Sequence, residues 1–213
     1  MNLAIGESSP MVAVSGRVRL CLSGRVWPLE KEDAMTQTTT DARPGQEQSQ
    51  GYTIHRCHEV TRGYAEMLVG DVEEGRFCEM PHPTMNHPAF VYGHLAIYPK
   101  KVAGLLGEPD AVRDVPEGWE DLFKAGAACE ADASKYPAKG ELMERFMADY
   151  AAASKVVAVA ADSVLSAEMP IEGMRERFPT VGVGVNFLMN NHMMMHLGQI
   201  SAWRRAVGLG SVM

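Results

Sequence analysis

Asn190-Asn-His-Met-Met-Met-His-Leu-Gly-Gln199, inside the longer run 183–207, carries two histidines four residues apart. At 100° per residue, His192 and His196 lie about 40° apart on one helix face, one turn from each other. Val185, Leu188, Gln199 and Trp203 fall on the same stripe, which is largely apolar, so both histidines are expected to face a helical interior. Gly208 is the expected stop. Two buried imidazoles need partners for their ring nitrogens, because an unmet polar group in a core is costly. A single metal ion meets both, as in the His-x-x-x-His pairs of zinc enzymes. No acidic residue stands between them, so the general base of the HExxH motif is missing.

Working backwards, Pro179 precedes this helix, and Val181-Gly-Val-Gly-Val reads equally as its start or as a short strand. An Ala-rich helix is predicted from Glu141 through Val164, with Leu142, Phe146, Tyr150 and Val157 along one side. Another is predicted from an Asn86 cap, with Pro88 in its first turn, to about Leu106 before Gly107. The first, over roughly 52–70, sets Ile54, His58, Thr61, Ala65 and Leu68 at helical spacing. Long helices without convincing strands make an all-α chain, predicted to be a four-helix bundle over 51–213. Residues 1–50 differ. Their stretch 36–50 is rich in Thr and Gln and almost free of apolar side chains, so 1–50 is expected to be a disordered tail, with Met35 as a second candidate start.

Totals narrow the function classes. The 213 residues carry a formal charge of −7, which offers no basic surface for phosphates, so nucleic acid is not an expected partner. No run of 18 apolar residues exists to span a bilayer. The four cysteines (Cys21, Cys57, Cys78, Cys129) are scattered without a CxxC, which favours a reducing, cytoplasmic compartment over a disulfide framework. Five of the 15 methionines fall between Met174 and Met195. Met194 points well away from the histidine stripe, so burial against another helix or a second subunit is predicted for it.

The third imidazole of the candidate site is His94, in Phe90-Val-Tyr-Gly-His-Leu-Ala-Ile-Tyr-Pro99. Phe90, Val91, Tyr98 and Leu105 share its face, Gly93 permits close helix approach, and Pro99 should kink the helix just past it. Three histidines plus one open position is the layout of a catalytic site, not of a closed structural one. Imidazoles suit zinc, nickel, copper or iron. His58 is a candidate fourth ligand or hydrogen-bond donor to a ligand, His87 a candidate for the pocket mouth, and Gln199 a candidate for orienting substrate. Cys78 and His82 with His87 make a weaker zinc pattern with no second Cys pair. Cys57 and His58, as helix neighbours, diverge by about 100°, which argues against a Cys–His dyad.

Tyr92-Gly-His-Leu-Ala96 and His192-Met-Met-Met-His-Leu-Gly-Gln-Ile-Ser-Ala-Trp-Arg-Arg-Ala-Val-Gly208, 98 residues apart between first ligands, resemble the paired motifs of the DinB/YfiT superfamily over roughly 52–210. The resemblance implies an up-down-down-up four-helix bundle, often a homodimer, with a divalent ion, zinc or nickel first, on His94, His192 and His196. It also implies small-molecule chemistry, S-transferase or hydrolase-like, with a low-molecular-weight thiol such as mycothiol or bacillithiol as co-substrate. The alternative is a non-catalytic metal-binding protein, stress-associated or dimeric. Family membership implies a site more strongly than a reaction.

Overall fold

The computed structural model describes residues 49–213, and the readings made for 1–48, including the tail and the alternative start, lie outside them. The described residues form helices and no strand, and the one extended pairing among them is an isolated bridge between Glu168 and Thr180.

Helix α1 spans Gln50–Val69. Ser49 caps it, its Oγ accepting the Tyr52 N–H at 3.0 Å, and the residues it buries (Ile54, His58, Thr61, Ala65, Leu68) follow the helical period. Helix α2, Pro88–Ala96, is buried on every side, as its apolar sequence demands. Its cap is His87, not Asn86: the imidazole Nδ1 accepts the Phe90 N–H at 3.2 Å. The predicted kink becomes a full break, because Pro99 has no N–H to continue the ladder and the Tyr98 N–H closes on the Leu95 carbonyl at 3.2 Å. Helix α3, Pro99–Leu105, then runs to Gly107, whose φ of 80° suits only glycine at low strain. A short α4, Trp119–Phe123, follows.

Helix α5 spans Lys139–Val159 and stops short of the predicted Val164. The Asp162 carboxylate takes the Gln50 N–H, an amide at the start of α1 with no partner in its own helix, and the chain re-enters helix only as α6, Asp162–Leu165. Val181-Gly-Val-Gly-Val is helix: α7 covers Val181–Asn186, capped by Thr180. A π turn, Phe187–Asn191, and then α8, His192–Ala206, complete the run. Helix α5 packs on α1, α2 and α3, while α8 lies on α1 and α2. Gly51 permits the α1–α5 contact, since a Cβ there would sit 2.3 Å from the Val157 carbonyl oxygen. Buried Tyr92, Phe146, Tyr150, Leu142 and Trp203 fill the centre.

One expectation for the last helix needs correction, and for Met194 one of the two expected covers is absent. Leu188 is half-buried and Gln199 exposed, so neither belongs to the buried face. Met194 and Met195 are 44% and 59% exposed, and no helix among the described residues covers that side. For Leu188 and Gln199 the extra residue of the π turn is the cause, since it rotates α8 relative to α7. No described helix is long and apolar enough to cross a membrane.

Candidate metal centre

His94 comes from the buried last turn of α2, and His192 and His196 stand in the first turns of α8 on the side that faces it. The three Nε2 atoms converge: His192 Nε2 lies 3.1 Å from that of His94 and 3.2 Å from that of His196. Among the described residues, this is the cluster of three or more ligating side chains with donor atoms all within 4.8 Å of one another. No carboxylate or thiol belongs to it.

Outer hydrogen bonds set the tautomers. His94 Nδ1–H donates to the Phe123 carbonyl at 2.6 Å, and His196 Nδ1–H to Gln199 Oε1 at 3.2 Å. Both therefore present a bare Nε2 lone pair to the centre. His192 could give one Nε2–H to one of these acceptors, never to both. Its Nδ1 is itself buried without a partner. Hydrogen bonding within the cluster thus leaves a lone pair unmet, whereas an ion takes all three. A tetrahedral ion with metal–nitrogen bonds of 2.0–2.1 Å would hold its ligands about 3.3 Å apart, close to the 3.1 and 3.2 Å seen here. The residues fit such an ion.

Electrostatics agree. Burial pushes all three imidazoles below their ordinary range, His192 down to about 3, with its two histidine neighbours adding to the effect. They are therefore neutral at physiological pH, the state a metal ligand requires. Aromatic rings wall the site: Tyr98 packs 5.1 Å from His94 and 4.6 Å from His192 between ring centroids, Phe90 stacks on His94, and Phe187 tilts over His192. Tyr98 reaches this position because the α2–α3 break turns the chain at Pro99.

The other residues singled out from the sequence take different places. His58 is buried outside the cluster, with Nδ1 on the Met189 carbonyl at 2.9 Å, and burial pushes it down to about 4. His87 is not at a mouth: it is fully buried, capping α2 and donating Nε2–H to the Glu130 carbonyl. Gln199 is exposed, holds His196, and accepts a long 3.4 Å bond from Asn86 Nδ2. With His82, Thr84, Met85 and Ala202, these two line a shallow cavity of about 230 Å³. The Phe123 carbonyl is the partner that sequence reading missed, and no residue type signals a backbone acceptor.

Every shifted imidazole here is lowered, so each binds its proton more readily in the unfolded chain. His58 illustrates the sign. With a folded value of about 4 against 6.5, its contribution is complete above pH 6.5 and is lost as pH falls through about 4. The metal-free protein should therefore melt at progressively lower temperature as pH drops from 6.5 to 4.5. A calorimetric midpoint constant over that window would contradict the assignment of buried neutral histidines.

Residues 58–200 match the family model described as the DinB superfamily. No curated protein and no solved structure matches the chain.

Proposed function

The chain belongs to the DinB superfamily, and from that membership and the geometry of the triad we propose a metal-dependent enzyme acting on a small molecule. His94, His192 and His196 hold one divalent transition ion, zinc or nickel. The observation that carries the reading is the convergence of three neutral imidazoles with no fourth protein donor in the cluster, the ligand count of catalytic rather than structural sites.

A bound ion would supply a positive charge that lowers the pKa of a thiol or water beside it. The protein's own residues do the rest. The Phe123 carbonyl and Gln199 fix the two outer imidazoles, so the lone pairs need no reorientation. Phe90, Tyr98 and Phe187 keep bulk water from the buried side. His196, half-buried beside exposed Gln199, marks the side from which a substrate arrives. Among the described residues no carboxylate belongs to the cluster to take a proton. That favours a thiol co-substrate over water, since a thiol near pKa 8.5 needs far less help to ionise at neutral pH. S-transfer from a low-molecular-weight thiol to an electrophilic carbon is the reading this supports best, and a thiol-rich, reducing cytoplasm suits it.

Monobromobimane provides the test. The metallated protein incubated with bimane and each candidate thiol should form the thioether faster than the His94→Ala variant does. Equal rates for the two proteins with every thiol would remove the enzyme reading.

One observation favours a second role. Exposed Met194 and Met195 lie side by side on α8, apolar and adaptable. Such a surface suits a second copy of the chain, and a homodimer is compatible with either a catalytic or a purely binding role. Sedimentation equilibrium should then report a dimer that Met195→Glu dissociates, and a wild-type monomer at all concentrations would argue against it.

A further inference from the structure

The break in the last helix sits directly ahead of the first of its two histidines. Phe187–Asn191 form a π turn closed by the His192 N–H on the Phe187 carbonyl. One extra residue turns everything downstream by about 100° relative to an unbroken α-helix. Burial records the rotation. Fully buried Val185 shares its face with fully buried Met193, eight residues on, followed by Leu197 and Ile200. An unbroken helix would instead centre His192 and His196 on that apolar face, seven and eleven residues from Val185. The π turn moves them to its edge, beside His94 and toward solvent at His196.

A π turn is a rare, poorly packed form of helix and persists where neighbouring groups hold it. Helix α1 does so at two points. His58 donates its Nδ1–H to the Met189 carbonyl, in the middle of the turn, at 2.9 Å. Asn190 donates its Nδ2 to the Ile54 carbonyl at 3.3 Å and to Asn186 Oδ1 at 2.9 Å. The His58 ring is fully buried and stacked on Tyr150 with centroids 5.2 Å apart, so it cannot swing aside.

We propose that His58 is a positioning residue for the triad: it clamps the Met189 carbonyl, keeps the π turn wound, and so aims His192 and His196 at His94. This rests on the triad holding an ion, as proposed above. His58 is not a fourth ligand in this arrangement, because it lies outside the three-histidine cluster with Nδ1 committed to backbone.

Asparagine carries an amide nitrogen where imidazole carries Nδ1, while leucine fills the space with no donor. Zinc(II) affinity, by competition with a chromophoric chelator, and the visible spectrum of the cobalt(II) form would be compared for wild type, His58→Asn and His58→Leu. Leu142→Ala, a core truncation on α5, controls for general destabilisation. Loss of an outer partner of a metal site typically weakens binding about 10- to 100-fold, the drop expected for His58→Leu, with shifted cobalt bands. His58→Asn should stay near wild type in both readouts, and Leu142→Ala should lower the melting temperature alone. Should His58→Leu fail to fold, His58→Gln, whose amide reaches the Nε2 position instead, replaces it with the same expectation. Wild-type affinity and unchanged bands in the donor-less variant overturn the proposal, as does an equal loss in His58→Asn or Leu142→Ala. A wild-type protein that binds neither ion overturns the metal reading and this inference together.

Discussion

The His94→Ala protein should be purified with almost none of the divalent transition metal that accompanies the wild type at about one ion per chain. Two histidines one turn apart on α8 remain in the variant, but the ligand that bridges to a second helix is gone, and affinity should fall by more than the 10- to 100-fold typical of outer partners. Elemental analysis checks this directly, and His192→Ala should behave alike. The stability consequence is conditional. An ion present at 100 times its dissociation constant adds about 2.7 kcal/mol, and 1 kcal/mol moves the midpoint of a domain of this size by about 2–4 °C. Chelation should therefore lower the wild-type midpoint by roughly 5–10 °C and leave His94→Ala where it was. Without an ion the variant still loses the His94–Phe123 hydrogen bond and gains a cavity, so its midpoint should lie somewhat below that of the metal-free wild type, and the response to chelator rather than the absolute midpoint is the readout. Equal metal content in the two proteins would sink the proposed centre.

Gly93→Ala should damage stability and metal affinity together. A Cβ at Gly93 would sit 2.2 Å from Cε1 and Cζ of the Phe123 ring and 2.5 Å from its Cδ1. A side-chain end can often yield, but this ring is fully buried, edge-on to Trp119 and tilted against Phe90 and Tyr136. Overpacking of this kind costs about 1–3 kcal/mol, and the upper end is expected where aromatic neighbours block retreat. The same residue's carbonyl holds His94 Nδ1–H, so displacing Phe123 turns the imidazole as well. Denaturant unfolding should show the loss of stability, and chelator competition a loss of affinity of about tenfold or more. Gly63→Ala is the contrast. Nothing lies within 4 Å of a Cβ there, so a helix-interior alanine should stabilise by about 0.5–1 kcal/mol. A Gly93→Ala protein indistinguishable from wild type would show that the α2–α4 contact is looser than described.

The helices were legible because each leaves marks in residue identity. Pro88 opens, Pro99 interrupts and Gly107 stops, while Leu142, Phe146, Tyr150 and Val157 repeat at the period of a buried face; the caps Ser49 and Thr180 emerged only from the structure. The histidines that the structure draws together are those that spacing and flanking residues singled out. What else stayed hidden has no residue type. The partners of His94, His58 and His87 are the backbone carbonyls of Phe123, Met189 and Glu130, and any residue carries a carbonyl. Asn86 read as the better cap on average preference, yet a neutral imidazole accepts equally well through Nδ1. The π turn was invisible for a related reason. Val185 and His192, seven residues apart, read as neighbours on an unbroken helix, so the reading placed Leu188 and Gln199 inside. Only the hydrogen-bond ladder reveals the added residue.

The groups behind the triad are a backbone carbonyl, a side-chain amide, and for His192 nothing at all. Where an anionic partner stands behind a ligating imidazole it makes the ring a stronger electron donor and tightens its grip on the ion. Neutral backing withholds that reinforcement, and imidazole alone discriminates weakly among late first-row ions. Occupancy of the proposed centre should therefore follow supply: its ion should be exchangeable, and its identity in a preparation should reflect the growth medium as much as the site.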